Sequence, residues 1–416
     1  MSGKTVIEKI IEAHSREEVK PGNIVWMDLD VRTARDFAGA NVVKNFQTHY
    51  GDDRVADKNK TFFTFDCVVP ANNIPYANNQ HICRTWAWEQ GIKVFDVNMG
   101  IGSHVAIEHG LALPGCTFVG TDSHLNILGA IGAFGQGMGD QDIAFAFKTG
   151  KTWFEVPPTM KVVLKGELKY PCTAKDLTLA ILRLLSSSDA LGRAIEFYGP
   201  AVQKLDLPGR ITLTSMVTEM GGIIGFTPPS EEVLDFCRAR SGRDDIEGVH
   251  ADPDAAYCEV VVVNITNLEP LLACPPSPAN VKPVRELSGM RVDSVFIGSC
   301  TNGRFEDFAA VAGVVRGKKI QPWVMASVVP ATREVYERML REGIIEALFE
   351  AGFIISNPGC GGCASGQIGM TGEGQVQVST GNRNFPGKQG AGDTYLTSPV
   401  TAAWCALKGE IAVPEA

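Results

Sequence analysis

Val295-Phe-Ile-Gly-Ser-Cys-Thr-Asn-Gly-Arg304 decides how this chain is read. An apolar, strand-like run breaks into small polar residues at Ser299, as where a strand hands over to a helix N-terminus. Cys300 sits at that break. Further on, Cys360-Gly-Gly-Cys363 lies within Asn357-Pro-Gly-Cys-Gly-Gly-Cys-Ala-Ser365, a glycine-dense turn that bends backbone closely around whatever the sulfurs hold. Two thiolates three positions apart plus one distant thiolate make three soft ligands, an odd number. Structural zinc sites close with four ligands, and iron–sulfur clusters usually take four cysteines. Three cysteines on a cubane would leave one iron open, a Lewis acid as well as a structural part. Taken alone, the CxxC pair also fits a redox motif or half a zinc site.

The totals narrow the setting. At 416 residues the chain suits two or three domains. Its hydrophobic content of 44% and charged content of 20% are those of an ordinary globular protein. A net charge of −9 argues against a nucleic-acid partner and against anionic membrane surfaces. Such a chain must concentrate positive charge locally to bind a di-anion, which puts weight on single arginines. Eleven cysteines and an N-terminus that reads as an amphipathic helix start, not an export signal, predict a reducing cytoplasm. No apolar run reaches the length of a membrane span.

Strand-like runs at 117–119, 161–164, 259–263, 294–297, 323–328 and 353–355 alternate with helical stretches such as 174–186 and 332–351. That alternation predicts an α/β protein with largely parallel sheets. Glycines cluster at 129–139 and 357–366, the close-approach loops. Seams are expected near Gly166 and near Ser277–Leu287, where Pro275, Pro276, Pro278 and Pro283 stiffen the chain.

Ser299-Cys-Thr-Asn-Gly-Arg304, Gly359-Cys-x-x-Cys363 and Asn382-Arg-Asn-Phe-x-Gly387, in that order, resemble the aconitase superfamily. Within it they are most similar to the large subunits of 3-isopropylmalate dehydratase, an enzyme of leucine biosynthesis, and homoaconitase. The resemblance also takes in Thr121-Asp-Ser-His124, Gly129–Asp142, Ala251-Asp-Pro-Asp-Ala255, Leu268-Glu-Pro270, Lys282-Pro-Val284 and Ser398-Pro399. It implies three α/β/α domains (1–165, 166–283 and 284–416) around a [4Fe-4S] cluster on Cys300, Cys360 and Cys363, with one iron lacking a cysteine ligand. It further implies reversible dehydration of a hydroxy di- or tricarboxylic acid. The family's base is a serine on a swivelling fourth domain. The chain ends at Ala416 without one, so a separate small subunit is expected, in a heterodimer or heterotetramer.

Asp122, Ser123 and His124 follow an apolar run and so stand at the carboxyl end of a strand, where open α/β sheets place ligands. An ordinary helix cap is the other reading of that motif. By resemblance Asp122 and His124 join Asp66 in the network around the reacting hydroxyl. Arg383 and Lys388 offer charge to substrate carboxylates, the first as a fork and the second as a point. Asn302 and Asn382 are expected as orienting amides beside the cluster. Arg304 reads either as a further carboxylate partner or as a cap on the helix that begins at Phe305.

The chain departs from the family's pattern at its site. Where the family writes Asp-His, the text is Phe65-Asp66-Cys67-Val-Val-Pro70. The family's Gly-Ile-x-His-Gln becomes Gly100-Ile-Gly-Ser103-His104. Ile223 stands where a glutamate is usual after Met220-Gly221, and Lys388 where arginine is usual. Cys67 reads as a weak acid, an extra metal ligand or a buried thiol. His104 reads as the slipped replacement for the missing histidine or as a surface residue. These changes predict either a different substrate or a rebuilt acid–base network.

The leading expectation is thus the large, cluster-binding subunit of a hydro-lyase acting on a 3-isopropylmalate-like substrate. Homoaconitate, citraconate or maleate, 2,3-dimethylmalate, or the substrate of a specialised-pathway homologue are the alternatives. A cluster-binding regulatory or iron-sensing protein without turnover is the non-enzyme reading. Zinc held by Cys300, Cys360 and Cys363 with Cys67 is a third.

Overall fold

A strand buried on both faces needs apolar residues at every position, and Ser294–Gly298 is buried throughout. It lies inside a seven-stranded sheet in the order Val281–Pro283, Leu271–Ala273, Asp393–Thr397, Val376–Ser379, Ser294–Gly298, Met325–Val329, Ile354–Ile355. The last five strands of that order run parallel, and the first two are antiparallel additions. The structure, a computed structural model, describes residues 3–364 and 368–415. Ser365 and Gly366, at the end of the expected glycine-dense turn, lie outside the described residues.

Two further sheets are wholly parallel. One has five strands, ordered Lys93–Phe95, Thr61–Thr64, Val31–Arg35, Thr117–Gly120, Phe134–Gly137. The other has four, ordered Ile224–Phe226, Ala194–Tyr198, Thr159–Lys165, Glu259–Asn264. Each of the three sheets has its own apolar core. A further cluster containing Ile101, Ile127, Ile211, Ala331 and Cys300 joins residues from all three bodies.

Strand order fixes where ligands go. In the five-stranded sheet the chain winds outward from Val31–Arg35 in one direction and from Thr117–Gly120 in the other, so these neighbours flank a topological switch point. The seven-stranded sheet does the same at Ser294–Gly298 and Val376–Ser379. Crevices open beyond the carboxyl ends of strands at such points. Arg35 and Asp122 stand at the first crevice, Cys300 and Asn382 at the second.

The α/β class holds, while local expectations are amended. The strand Thr159–Lys165 pairs with Ala194–Tyr198 and Glu259–Asn264, so the change of sheet comes at Pro157-Pro158 and not at Gly166. Leu271–Ala273 pairs with Asp393–Thr397, which moves the second change ahead of the proline-rich stretch at 275–283. Hydrogen bonding, not stiffness of the chain, draws both lines. The helix expected over 332–351 is two, Arg333–Arg341 and Ile344–Ala351, because Gly343 at φ 68° terminates the first. Among the described residues no helix is long and apolar enough to cross a membrane.

Candidate active site

Arg35, the last residue of its strand, organises the first crevice. Its Nε donates to Asp66 (2.7 Å), Nη1 to Asp122 (2.9 Å) and Nη2 to the Cys360 sulfur (2.6 Å). Only a planar guanidinium presents N–H groups in three directions from a fixed frame. The loop it meets is set by buried Asp36, whose carboxylate accepts the backbone N–H groups of Asp66, Cys67 and Val68. Burial pushes the Asp66 carboxyl up to about 6; Asp36 and Asp122 add to that shift while Arg35 opposes it. Burial also works against Asp122, but there Arg35 and His124 outweigh it and hold the carboxyl below its usual range. Two carboxyl groups on one arginine are thus driven apart in acidity.

His124 links this crevice to the four-stranded body. Its Nε2 lies 3.0 Å from Glu219 Oε1 and its Nδ1 3.2 Å from Ser123 Oγ. A carboxylate only accepts, so Nε2 carries a proton and a neutral ring leaves Nδ1 to accept from Ser123. Glu219 sits in the short turn Thr218–Met220 and also accepts from Arg383 Nε at 2.8 Å. Burial would raise the Glu219 carboxyl, yet His124 and Arg383 hold it low. Its Oε2 is buried with no partner among the described residues.

The second crevice carries the thiols. Ser299 takes φ 76°, a backbone state that non-glycine residues rarely adopt, and this turns Cys300 out of the strand direction. The cost is borne by a tight frame. Gly298 and Thr380 exchange hydrogen bonds at 2.9 and 3.0 Å. Buried Lys175 donates to the carbonyls of Thr380 (3.0 Å) and Gly381 (2.7 Å), fixing the loop that presents Asn382 and Arg383. Asn382 Oδ1 accepts from the Cys300 thiol at 3.4 Å.

Cys300, Cys360 and Cys363 open on one cavity of about 640 Å³, together with Arg35, Cys67, Asp122, Ser123, His124, Arg383 and Lys388. Burial, the neighbouring thiols and Asp122 push Cys300 well above the usual thiol range. Burial likewise raises Cys363, with Lys388 and Arg383 opposing. Thiols so crowded lose their protons only when something positive takes the sulfurs, the coupling expected of metal ligands. A single tetrahedral ion would draw its sulfurs to within about 4 Å of one another. The three cysteines form no such group; among the described residues the one compact donor set is Asp66, Cys67 and Cys360. The zinc arrangement with all four cysteines is therefore not assembled. Asn382 Nδ2, buried and without a partner among the described residues, remains as a donor beside Cys300. Three thiols that share one cavity without closing on a single-ion site, with a spare donor for sulfur, fit an iron–sulfur cubane.

Other expected residues fall elsewhere. Asp66 is fully buried behind Arg35 and Cys67 and positions them, without reaching the cavity wall. His104 is buried, not at the surface; its Nε2 donates to the Cys300 carbonyl at 2.8 Å, and burial with nearby Arg304 pushes it down to about 3. It braces the cysteine loop and does not line the cavity. Arg304 is the N-cap residue of Phe305–Val315 and donates from Nη1 to buried Glu108 at 2.5 Å, and it does not line the cavity. Asn302 faces away from the cysteines, donating to Asp307 (3.0 Å) and Thr212 (3.3 Å). Both residues follow Cys300 closely, but the helix start turns them outward.

Sequence reasoning missed Arg35, Asp36, Lys175 and Glu219. Arg35-Asp36 carried a signal, a charged pair directly after an apolar strand. The glutamate sought near Ile223 is present as Glu219, ahead of Met220-Gly221 instead of after it. Lys175 carried none, since a lysine in a helical stretch reads as solvated.

The chain belongs to the aconitase family: the profile of the aconitase family (aconitate hydratase) matches residues 8–289 and 282–409. Proteins of this family carry a [4Fe-4S] cluster. The chain is 42% identical over 415 residues to a 3-isopropylmalate dehydratase large subunit of Methanopyrus kandleri, covering 99% of each. It is 40% identical over 416 residues to the homoaconitase large subunit of Thermus thermophilus, covering 99% of this chain and 98% of that one. A probable methanogen homoaconitase large subunit of Methanothermobacter thermautotrophicus is 39% identical over 98% of this chain and 97% of its own. In fold the chain is similar to aconitase X of Thermococcus kodakaraensis, with a TM-score of 0.53 at 12% identity over 91% of this chain and 89% of that one.

Proposed function

We propose that the chain is the large, cluster-binding subunit of a cytoplasmic hydro-lyase that reversibly dehydrates a hydroxy di- or tricarboxylic acid. A 3-isopropylmalate-like substrate fits first, and homoaconitate, citraconate or maleate, 2,3-dimethylmalate or a specialised-pathway acid are alternatives. The convergence of two switch-point crevices on one cavity carries this reading: cysteines from one, the Asp122–His124 motif from the other, with Glu219 and Arg383 between them.

Cys300, Cys360 and Cys363 would hold a [4Fe-4S] cluster, which would supply Lewis-acid chemistry toward the leaving hydroxyl. Arg383 binds a substrate carboxylate, held in aim by its bond to Glu219. Lys388, in the same wall, supplies a second positive charge as a point and not a fork. His124 exchanges a proton at Nδ1 through Ser123 while Glu219 fixes the other edge of the ring. Asp122, kept ionised by Arg35, sets the charge beside that proton. The base that removes the proton next to the carboxylate comes from a small subunit, whose domain covers the mouth. There Phe37 and Phe385 present rings that are 69% and 47% exposed.

Anaerobic reconstitution with iron and sulfide, followed by addition of the cognate small subunit, tests this. Ultraviolet absorbance of the conjugated double bond should change with one unsaturated dicarboxylate of a graded side-group series. No change with any of them refutes the enzyme. The regulatory reading rested on missing acid–base partners, and Glu219 and Arg35 supply such partners.

A further inference from the structure

Cys67 stands beside Cys300, Cys360 and Cys363 without belonging to either cysteine motif. It borders the cavity beside Cys360, and their side chains share a hydrogen bond. The sulfurs of Cys67 and Cys360 lie within 4.8 Å of each other. Their backbones are already joined side by side, because Cys360 N–H donates to the carbonyl of Asp66 at 2.8 Å. That bond pins the loop before Cys67 against the start of the Cys360 turn and keeps the two sulfurs facing each other, the proximity a disulfide requires.

The two sulfurs differ in setting. Cys360 is the less buried and takes a guanidinium N–H from Arg35 at 2.6 Å, the electropositive and partly open setting in which thiols react with oxidants. Cys67 is buried against Asp66 and stands ready as the second sulfur. We propose that in the cluster-free chain Cys67 forms a reversible disulfide with Cys360, a redox guard that keeps this cysteine recoverable. Hydrogen peroxide is the oxidant. The Cys360 sulfur attacks its O–O bond, becoming the sulfenic acid and releasing water. The Cys67 sulfur then displaces hydroxide from that sulfenic acid, and the thiol proton leaves with it as a second water. Both sulfurs are oxidised by one electron each, and the peroxide is reduced to two waters. Without Cys67 the sulfenic acid can climb to the sulfinic acid, which thiol reductants do not reverse.

The bond stands on geometry alone; its role as a guard rests on Cys360 being a cluster ligand, and the two are read separately. The full chain is freed of metal with a chelator, reduced, treated with one equivalent of hydrogen peroxide, alkylated and digested without reduction. A peptide pair joining Cys67 to Cys360 is expected, absent from Cys67→Ser, in which Cys360 is recovered as sulfinic acid. A Cys360–Cys363 link, or alkylated Cys67 beside sulfinic Cys360 in the wild type, overturns the proposal. Circular dichroism confirms that the variant is folded. Oxidised wild type should take up iron and sulfide only after dithiothreitol, whereas oxidised Cys67→Ser should stay refractory. Full uptake by the disulfide form overturns the guard and the ligand role of Cys360 together, while leaving the bond in place.

Discussion

Glu219→Gln tests the site at its hinge. The carboxylate, on one body of the fold, ties in the other two, accepting from His124 at 3.0 Å and from Arg383 at 2.8 Å through the same oxygen. Hydrogen bonds to charged groups are worth about 1.5–3 kcal/mol each, roughly twice their neutral counterparts. An amide keeps one acceptor oxygen but gives up the charge that serves both partners. Half of two such bonds amounts to about 1.5–3 kcal/mol, and the freed Arg383 loses its aim as well. At about 1.4 kcal/mol per decade, kcat/KM should fall roughly 10²-fold. Part of the loss falls on KM through the loosened carboxylate and part on kcat through His124. The assay is hydration of the preferred unsaturated acid by the reconstituted complex, with iron and sulfide measured on the same sample. Glu219 bonds to no cysteine, so cluster content should match the wild type. A variant with full cluster and kcat/KM within about fivefold of wild type would refute the reasoning.

Arg35→Lys replaces a three-way fork with a point charge, and should cost about 10² in turnover; iron content after reconstitution should also drop, because Cys360 loses its N–H donor. Cys300→Ser should fail to develop the visible absorbance of a cluster, while Cys405→Ala, in the core of the seven-stranded body, should develop it fully; equal iron in both would argue against the ligand assignment. Stability should carry a mark of Asp176, which accepts the N–H groups of Leu271 and Thr173 at 2.9 and 2.8 Å. Burial pushes this carboxyl up to about 6 from 3.8. The folded state therefore binds the proton more tightly than the unfolded one, and the contribution is full below the unfolded value and lost as pH rises through 6. That amounts to about 3 kcal/mol between the two limits. Thermal scans at pH 5 and pH 8 should show about half of that difference, roughly 1.4 kcal/mol, in wild type and a reduced one in Asp176→Asn.

The α/β class was legible because buried parallel strands announce themselves as apolar runs, and Ser294–Gly298 is one. That Cys300, Cys360 and Cys363 meet on one cavity was legible because cysteines in glycine-rich turns have few other uses. Partners across bodies were not. Glu219 and Arg383 are far apart in the chain and meet only through the docking of two sheets, which no local pattern encodes. Arg304 and Asn302 misled for the opposite reason. Proximity to Cys300 in sequence suggested proximity in space, but a helix begins there and carries their side chains off. His104 shows the same limit: position in a motif gave the residue, and burial decided that it braces a loop instead of lining the cavity.

The cavity draws Arg35, Asp122 and His124 from one core and the thiols and Arg383 from another, while Glu219, behind the wall, comes from a third and holds His124 and Arg383. What joins these bodies beneath the site includes small polar bonds, such as Thr212 Oγ1 to the Thr301 carbonyl at 3.0 Å and Ser215 Oγ to Thr301 Oγ1 at 3.2 Å. Loosening those joints separates acid from arginine and histidine from glutamate while each core stays folded. Warming should therefore silence the protein before it melts it, with activity fading at a lower temperature than helical signal. Substitutions along the seams, remote from any reacting atom, become the natural dial for how warm this catalyst can run.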